Sequence, residues 1–517
     1  MTKDRVVIID FGSQYTMLIA RRIRELNVFS EIVSPFEKNL IEILSSSYTK
    51  GIILSGGPMS VYDKDAPLLD KEIFNLGKPI LGICYGLQLI AHLFGGKVTS
   101  SEKREYGFAL FKVNENSELF DGMEKEFRVW MSHGDYVKSL PPNFKATGET
   151  EFSPYASIEN KDLKIYGVQF HPEVYHTKNG KKIIKNFLFK ILKVRKNWKM
   201  SNFIKEKIEE IRENVKNEFC FLALSGGVDS STLAFLLKEA LGDRFYPIFV
   251  ETGLLKENEK ERIRRLFSNF RNLNIVEAKD EFLNALKGVT DPEEKRRIIG
   301  KVFFDIFEKK ARELSKREKG KVGFLAQGTL YPDLIESKSY KGPSSKIKTH
   351  HNVGGVPEDH PFFLLEPFKE LFKDEVRKIG KKLGVPEEIL ERHPFPGPGM
   401  AIRIIGEVDE EKLEIIKKAD LIVEEEIRRF SLYKKLWQVF PVLLPVKSVG
   451  VMGDKRTYER VIALRAVKSV DGMTADWARI PYFVLDRIAR RIVGEVRGVN
   501  RVVYDITSKP PSTIEWE

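Results

Sequence analysis

In Gly82-Ile83-Cys84-Tyr85-Gly86 a cysteine stands between two glycines, after an apolar run at 78–83 and before a helical pattern at 87–94. A cysteine on such a strand-to-helix turn is the thiol version of a nucleophile elbow. Small neighbours permit a turn that side chains would block, and the start of the following helix favours the thiolate. The amide of Tyr85 is placed to meet an oxyanion. A second donor can come from Ser55-Gly56-Gly57-Pro58, where another apolar run ends in glycines. The base comes from His171-Pro172-Glu173, which follows the apolar run 165–170. Residues two apart on an extended segment share a face, so the Glu173 carboxylate can fix the His171 tautomer. These residues predict acyl transfer through a Cys84–His171–Glu173 triad.

A second constellation binds phosphate. Ser225-Gly226-Gly227-Val228-Asp229-Ser230-Ser231 joins the apolar run 219–224 to a helical pattern at 231–241. Glycines there let backbone N–H groups converge on an anion, and the hydroxyls and helix start add donors. No Gly-x-x-x-x-Gly-Lys-Ser/Thr string is present, so this is not a Walker loop. Asp229 either helps to hold a magnesium ion or caps the helix. Cys220 lies inside the strand that leads to the loop and reads as core.

The elements that must position these groups follow an α/β pattern. Short apolar runs alternate with amphipathic stretches at 6–10, 15–26, 51–55, 78–83, 87–94 and 165–170, which predicts a mainly parallel sheet. A basic helical stretch from 181 to about 211 leads to a second α/β unit with strands at 219–224 and 245–250. His393-Pro394-Phe395-Pro396-Gly397-Pro398-Gly399 marks a boundary. Beyond it we expect a strand at 401–405 and a charged helix at 411–429. A hairpin of 448–452 against 458–467 around Gly453-Asp454, a helix at 482–493 and a strand at 501–506 complete a small α+β domain. The expected division is 1–195, 196–394 and 395–517, in keeping with a length of 517 residues.

Bulk properties narrow the function classes. The net charge is +12, but basic residues mostly sit beside acidic ones and form no uninterrupted arm. This favours phosphorylated small molecules over nucleic acid. Two cysteines make no disulfide framework. No apolar run reaches the ~18–20 residues of a membrane span. A cytoplasmic protein is expected, with no nucleic-acid or membrane partner.

The elbow, the Gly-Gly turn and the His-Pro-Glu string resemble the class I glutamine amidotransferases over residues 5–190. That resemblance implies release of ammonia from glutamine through a thioester, with Gly57 and Tyr85 as oxyanion-hole amides. It also implies glutamine contacts at Gln88 and at Met131-Ser132-His133-Gly134-Asp135, where Asp135 would meet the substrate amino group. The Ser225–Ser231 string resembles the pyrophosphate loop of the N-type ATP pyrophosphatases, which adenylate a carbonyl oxygen. ATP and Mg2+ are then the expected cofactors.

Gln327 to Ser337, Thr349-His350-His351-Asn352-Val353-Gly354-Gly355, the 393–400 cluster with Arg403, and the tail from Asp505 to Glu517 together resemble the GMP synthetases, end to end. The resemblance implies xanthosine monophosphate (XMP) as acceptor, with contacts from Arg296, Gln438, Asp454, Lys509, Ile514 and Glu515. It further implies a homodimer through the C-terminal domain. One departure is Glu251 and Lys256, where the family commonly has Asp and Arg. The stretch 337–348, rich in Lys, Ser and Gly, reads as a lid or as a plain loop. Rival readings are another glutamine-dependent ligase such as an NAD synthetase, a pyrophosphate-loop RNA-modifying enzyme, and a non-catalytic nucleotide-binding scaffold. The RNA reading is disfavoured because sulfur transfer needs further cysteines and only Cys220 lies in that half.

Overall fold

A computed structural model describes residues 3–317, 323–337, 362–452, 454–469, 472 and 474–517. The possible lid at 338–348 and the Thr349–Gly355 string lie outside the described residues, as does Gly453. The described chain forms two compact units, one up to Phe203 and one from Ile204 onward.

The first unit is built on a nine-stranded sheet: β1 (Arg5–Ile9), β2 (Phe29–Val33), β3 (Thr49–Leu54), β4 (Ile80–Ile83), β5 (Lys97–Val113), β6 (Glu126–Ser139), β7 (Lys145–Glu149), β8 (Ser157–Asn160) and β9 (Ile165–Val168). Their order is β2-β1-β3-β4-β9-β8-β7-β5-β6. From β2 to β9 the pairings are parallel. From β9 to β6 they are antiparallel. The sheet is therefore mixed, where a mainly parallel one was expected. The long β5–β6 ribbon alternates buried and exposed residues, as a sheet with one wet face does. The central parallel strands are apolar on both faces: Val6 to Ile9 and Ile52 to Leu54 are fully buried. The Ser55–Pro58 turn, Cys84 and the His171–Glu173 segment follow the carboxyl ends of β3, β4 and β9. The expected bridging helix is broken. Gly180–Asn186 continues into a π-turn at Phe187–Ile191, and a new helix starts only at Met200–Val215. Lys193 between them takes φ 53°, which ends a right-handed helix.

The second unit opens on a fully parallel five-stranded sheet: β10 (Cys220–Ala223), β11 (Phe245–Glu251), β12 (Asn274–Glu277), β13 (Phe324–Ala326) and β14 (Phe363–Leu365), in the order β12-β11-β10-β13-β14. It continues into β15 (Gln438–Met452), β16 (Lys455–Lys468), β17 (Asp476–Trp477) and β18 (Val499–Asp505). β15 and β16 form one long antiparallel hairpin, and β18 runs parallel to β16. The helices Glu410–Arg429 and Tyr482–Glu495 pack with this sheet, and a continuous apolar core runs from Phe221 to Val499. The expected strand at 401–405 is instead a 3-10 turn, Gly399–Arg403. Met400, Ala401 and Ile402 are all fully buried, so the apolar run fills the core as one tight turn and only Ile404 bridges to Leu443. No helix among the described residues is long and apolar enough to cross a membrane.

Candidate functional sites

Cys84 sits at the carboxyl end of β4 with φ 52°, the strained left-handed conformation of a nucleophile elbow. Its N–H donates to the Val168 carbonyl at 2.8 Å, and the helix Tyr85–Leu93 begins at the next residue. Both flanking glycines are required. A Cβ on Gly82 would lie 2.6 Å from the Gly86 backbone, and one on Gly86 would lie 2.4 Å from the Leu54 oxygen.

His171 and Glu173 follow β9. Glu173 Oε1 is 2.7 Å from His171 Nδ1, and both side chains are buried. Burial alone would drive the ring toward neutrality. The Glu173 charge and the adjacent Cys84 sulfur outweigh it and raise the His171 pKa well above that of an ordinary imidazole. The ring is packed edge-on against Tyr15 at 4.9 Å and is closely approached by Gly56, where a Cβ would sit 3.2 Å from Cε1. Gly57 stands beside the elbow, since a Cβ there would lie 3.3 Å from the Tyr85 ring. The two residues expected to supply the oxyanion donors are thus neighbours.

The remaining glutamine-contact candidates divide. Gln88 donates through Nε2 to the Asp135 carbonyl at 2.8 Å. The Ser132 carbonyl lies 3.8 Å from the Cys84 sulfur, so its backbone borders the nucleophile. Asp135 accepts from the hydroxyls of Ser60 and Tyr62. His133 turns to the interior, its Nε2 3.2 Å from Glu105. Burial would raise the Glu105 carboxyl, but His133, Ser153 and Thr150 hold it below its usual value. Glu105, Ser60, Tyr62 and Gln169 escaped the motif reading because they meet the site only through sheet pairing and loop contacts.

At the phosphate loop, Ser225 N–H donates to Ser230 Oγ at 3.2 Å and Gly227 N–H to Ser225 Oγ at 3.3 Å. The 14-residue helix Val228–Leu241 starts directly after. Gly226 has φ 73°, and a Cβ on it would press on Ile263 at 2.8 Å and Glu259 at 2.9 Å. Its carbonyl accepts from Arg392, which also forms a two-pronged pair with Glu259 at 2.7 Å. Gly227 differs: a Cβ there would meet only Ser225 Oγ, at 3.4 Å. The fold requires Gly226, whereas the space over Gly227 is open to a ligand. Asp229 pairs with Lys373 at 3.2 Å through one oxygen, and its other oxygen is buried with no hydrogen-bond partner among the described residues. Val228 and Ser231 are buried on the helix.

Glu251 accepts from Gly253 N–H at 3.0 Å, and burial pushes its carboxyl up. Lys256 bridges Asp420 and Glu424, each at 2.8 Å.

The tail after β18 docks on buried cations. Arg465, fully buried, reaches Asp505 and the carbonyls of Thr507, Thr513 and Ile514. Glu515 accepts from Gln438 at 2.5 Å and from Arg403 at 3.2 Å, and Ile514 packs on Phe440, Val442 and Ala463. Arg296 donates to the main-chain oxygen of Glu517 at 2.5 Å, and the buried Lys295 pairs with the Glu517 side chain. Gln438, Ile514 and Glu515 are therefore gathered by the docked tail, and Arg296 meets its end. Lys509 sits apart on Gly472 and Ala475, and Asp454 lies exposed at the β15–β16 turn. A cleft of about 540 Å³ lined by Tyr504, Asp505, Thr507, Ser512, Glu515 and Trp516 opens beside the tail.

Residues 7–191 match the family described as glutamine amidotransferase class-I, and residues 425–516 match GMP synthase C terminal domain. Over its whole length the chain is 58% identical to the complete glutamine-hydrolyzing GMP synthase of Aquifex aeolicus. It is 57% identical over 99% of its length to the full-length Thermosipho africanus protein of that name. With the Brachyspira hyodysenteriae protein of that name it shares 55% identity over 99% of each chain. An end-to-end likeness of this degree places the chain in the glutamine-hydrolyzing GMP synthase family.

Proposed function

We propose that this chain makes GMP from XMP, ATP and glutamine, with the two chemistries housed in its two compact units. The observation that carries the reading is the buried Cys84–His171–Glu173 arrangement on a strained elbow, in a chain that also holds the Ser225–Ser231 loop at a helix start.

In the first unit the Cys84 sulfur attacks the carboxamide carbon of glutamine. The carbonyl electron pair moves onto oxygen, which the Gly57 and Tyr85 amides receive. Collapse breaks the C–N bond, and the proton held on His171 goes to the departing nitrogen. Water then hydrolyses the thioester, giving glutamate and free Cys84. Gln88, Ser132, His133 and Asp135 position the amino-acid end, His133 by anchoring the segment rather than by contact.

In the second unit the loop Ser225, Gly226, Gly227, Val228, Asp229, Ser230 and Ser231 cradles the pyrophosphate of ATP. An XMP carbonyl oxygen attacks the α-phosphorus and pyrophosphate leaves. Ammonia adds to the activated carbon and AMP departs, giving GMP. XMP is held by Arg296, Gln438, Asp454, Lys509, Ile514 and Glu515. The buried oxygen of Asp229, which has no hydrogen-bond partner among the described residues, would help to hold a magnesium ion, and that ion would neutralise phosphate charge at the loop. The three-domain division at about 195 and 394 and a homodimer complete the reading. We assign pairing to the β15–β16 hairpin, where Val449, Val451 and Tyr458 stand exposed.

The test is Cys84→Ala. It should abolish GMP formation with glutamine and keep it with ammonium salt at raised pH. Retained glutamine activity would remove Cys84 as nucleophile.

A further inference from the structure

The triad leaves open what faces the Cys84 sulfur on its remaining side. Gln169 follows β9 directly, two residues before His171, and is 1% exposed. Its Nε2 lies 3.7 Å from the Cys84 sulfur. The orientation of this amide follows from its neighbours. The Asp135 backbone carbonyl can only accept, so the end of Gln88 that touches it is the NH2 group. That same nitrogen lies 3.3 Å from Gln169, so the Gln169 atom it meets is the oxygen. The Gln169 NH2 group must then point at the sulfur. The chain Asp135 carbonyl, Gln88, Gln169, Cys84 is determinate from a fixed acceptor at one end to the nucleophile at the other.

Resting on the assignment of Cys84 as nucleophile, we propose that Gln169 is a further catalytic residue, whose side-chain amide donates a hydrogen bond to the Cys84 sulfur. The Ser132 carbonyl at 3.8 Å accepts from the thiol form, and the Gln169 amide favours the thiolate. No atom leaves Gln169. It solvates the sulfur electron pair before that pair forms the C–S bond, and solvates it again when water expels the sulfur from the thioester. A neutral donor does this without competing with His171 for the proton. A buried thiolate without such a donor is penalised by desolvation.

The experiment follows alkylation of Cys84 by iodoacetamide in the full-length protein between pH 5 and 10, read by mass spectrometry of the Cys84 peptide. The variants are Gln169→Leu, which removes the donor, and Gln169→Glu, which keeps the shape and reverses the polarity. In Gln169→Leu the midpoint of the profile should rise by about one to two pH units, and further in Gln169→Glu. Glutamine-driven turnover should fall about ten- to a hundredfold in Gln169→Leu, while ammonium-driven GMP synthesis is unchanged. An unshifted midpoint in Gln169→Leu with a parental melting temperature overturns the proposal, as does a shift confined to Gln169→Glu. Parental protein that stays glutaminase-active after complete Cys84 alkylation instead refutes the nucleophile assignment itself.

Discussion

Replacing Gly86 by alanine tests the elbow by one methyl group. The added carbon would lie 2.4 Å from the Leu54 oxygen and 2.7 Å from the Leu54 Cβ. Ordinary contacts of this kind need roughly 3.4 Å, so about 1 Å must be found. Leu54 cannot yield it, because β3 is held between β1 and β4 and Leu54 is fully buried. The helix Tyr85–Leu93 must therefore tilt away, loosening the 3.1 Å bond from Gly86 N–H to the Ser55 carbonyl. Overpacking of this kind costs about 1–3 kcal/mol. A misplacement of about 1 Å at a reacting group slows turnover about a hundredfold. Gly86→Ala should thus lower the melting temperature of the first unit and cut glutamate production about a hundredfold, with ammonium-driven synthesis retained. Parental glutaminase activity with unchanged melting would refute the claim that backbone contact, not chemistry, demands glycine here.

Three further outcomes are expected. Gly227→Val should leave melting unchanged yet abolish pyrophosphate release, whereas Gly226→Val should melt early, because only Gly226 is left-handed and crowded; equal melting of the two variants would contradict this difference. Burial would raise the Glu424 carboxyl, but Lys256 and Arg428 bring it down to about 2. A depressed carboxylate stabilises the fold above its unfolded value near 4.5 and loses that effect as pH falls toward 2, so calorimetry should find Glu424→Gln less stable by at most about 3 kcal/mol at pH 7 and level with the parent near pH 2. Val451→Glu or Tyr458→Glu should yield monomers in light scattering, and an unchanged mass would place the pairing surface elsewhere.

The sequence makes some of this geometry readable and hides the rest. Cys84, His171 and Glu173 could be read because local chain geometry joins them: a glycine turn, and two residues on one extended segment. The hairpin around Asp454 and the helix Glu410–Arg429 were readable from turn residues and periodicity. The Gly399–Arg403 turn was not, since a short apolar run looks the same whether it is extended or coiled into a core. The antiparallel half of the first sheet was missed for a related reason, as register and partner are long-range properties. Gln169, Glu105, Lys295 and Arg465 have no local signature at all. Each is defined by a partner far along the chain, and buried charge announces itself only once the partner is in place.

The docking of the tail also sets a timetable. Lys295 is fully buried and meets Glu517, 222 residues further on. At about 5–20 residues per second a ribosome needs roughly 10–45 s to cover that interval. Throughout that time the nascent second unit carries an ammonium group whose final counter-charge has not been made. The described part of the first unit ends at Phe203, before Lys295 is made, and can close while its successor is still being synthesised. The glutaminase unit can thus form early in synthesis, and the synthetase unit takes its final form late.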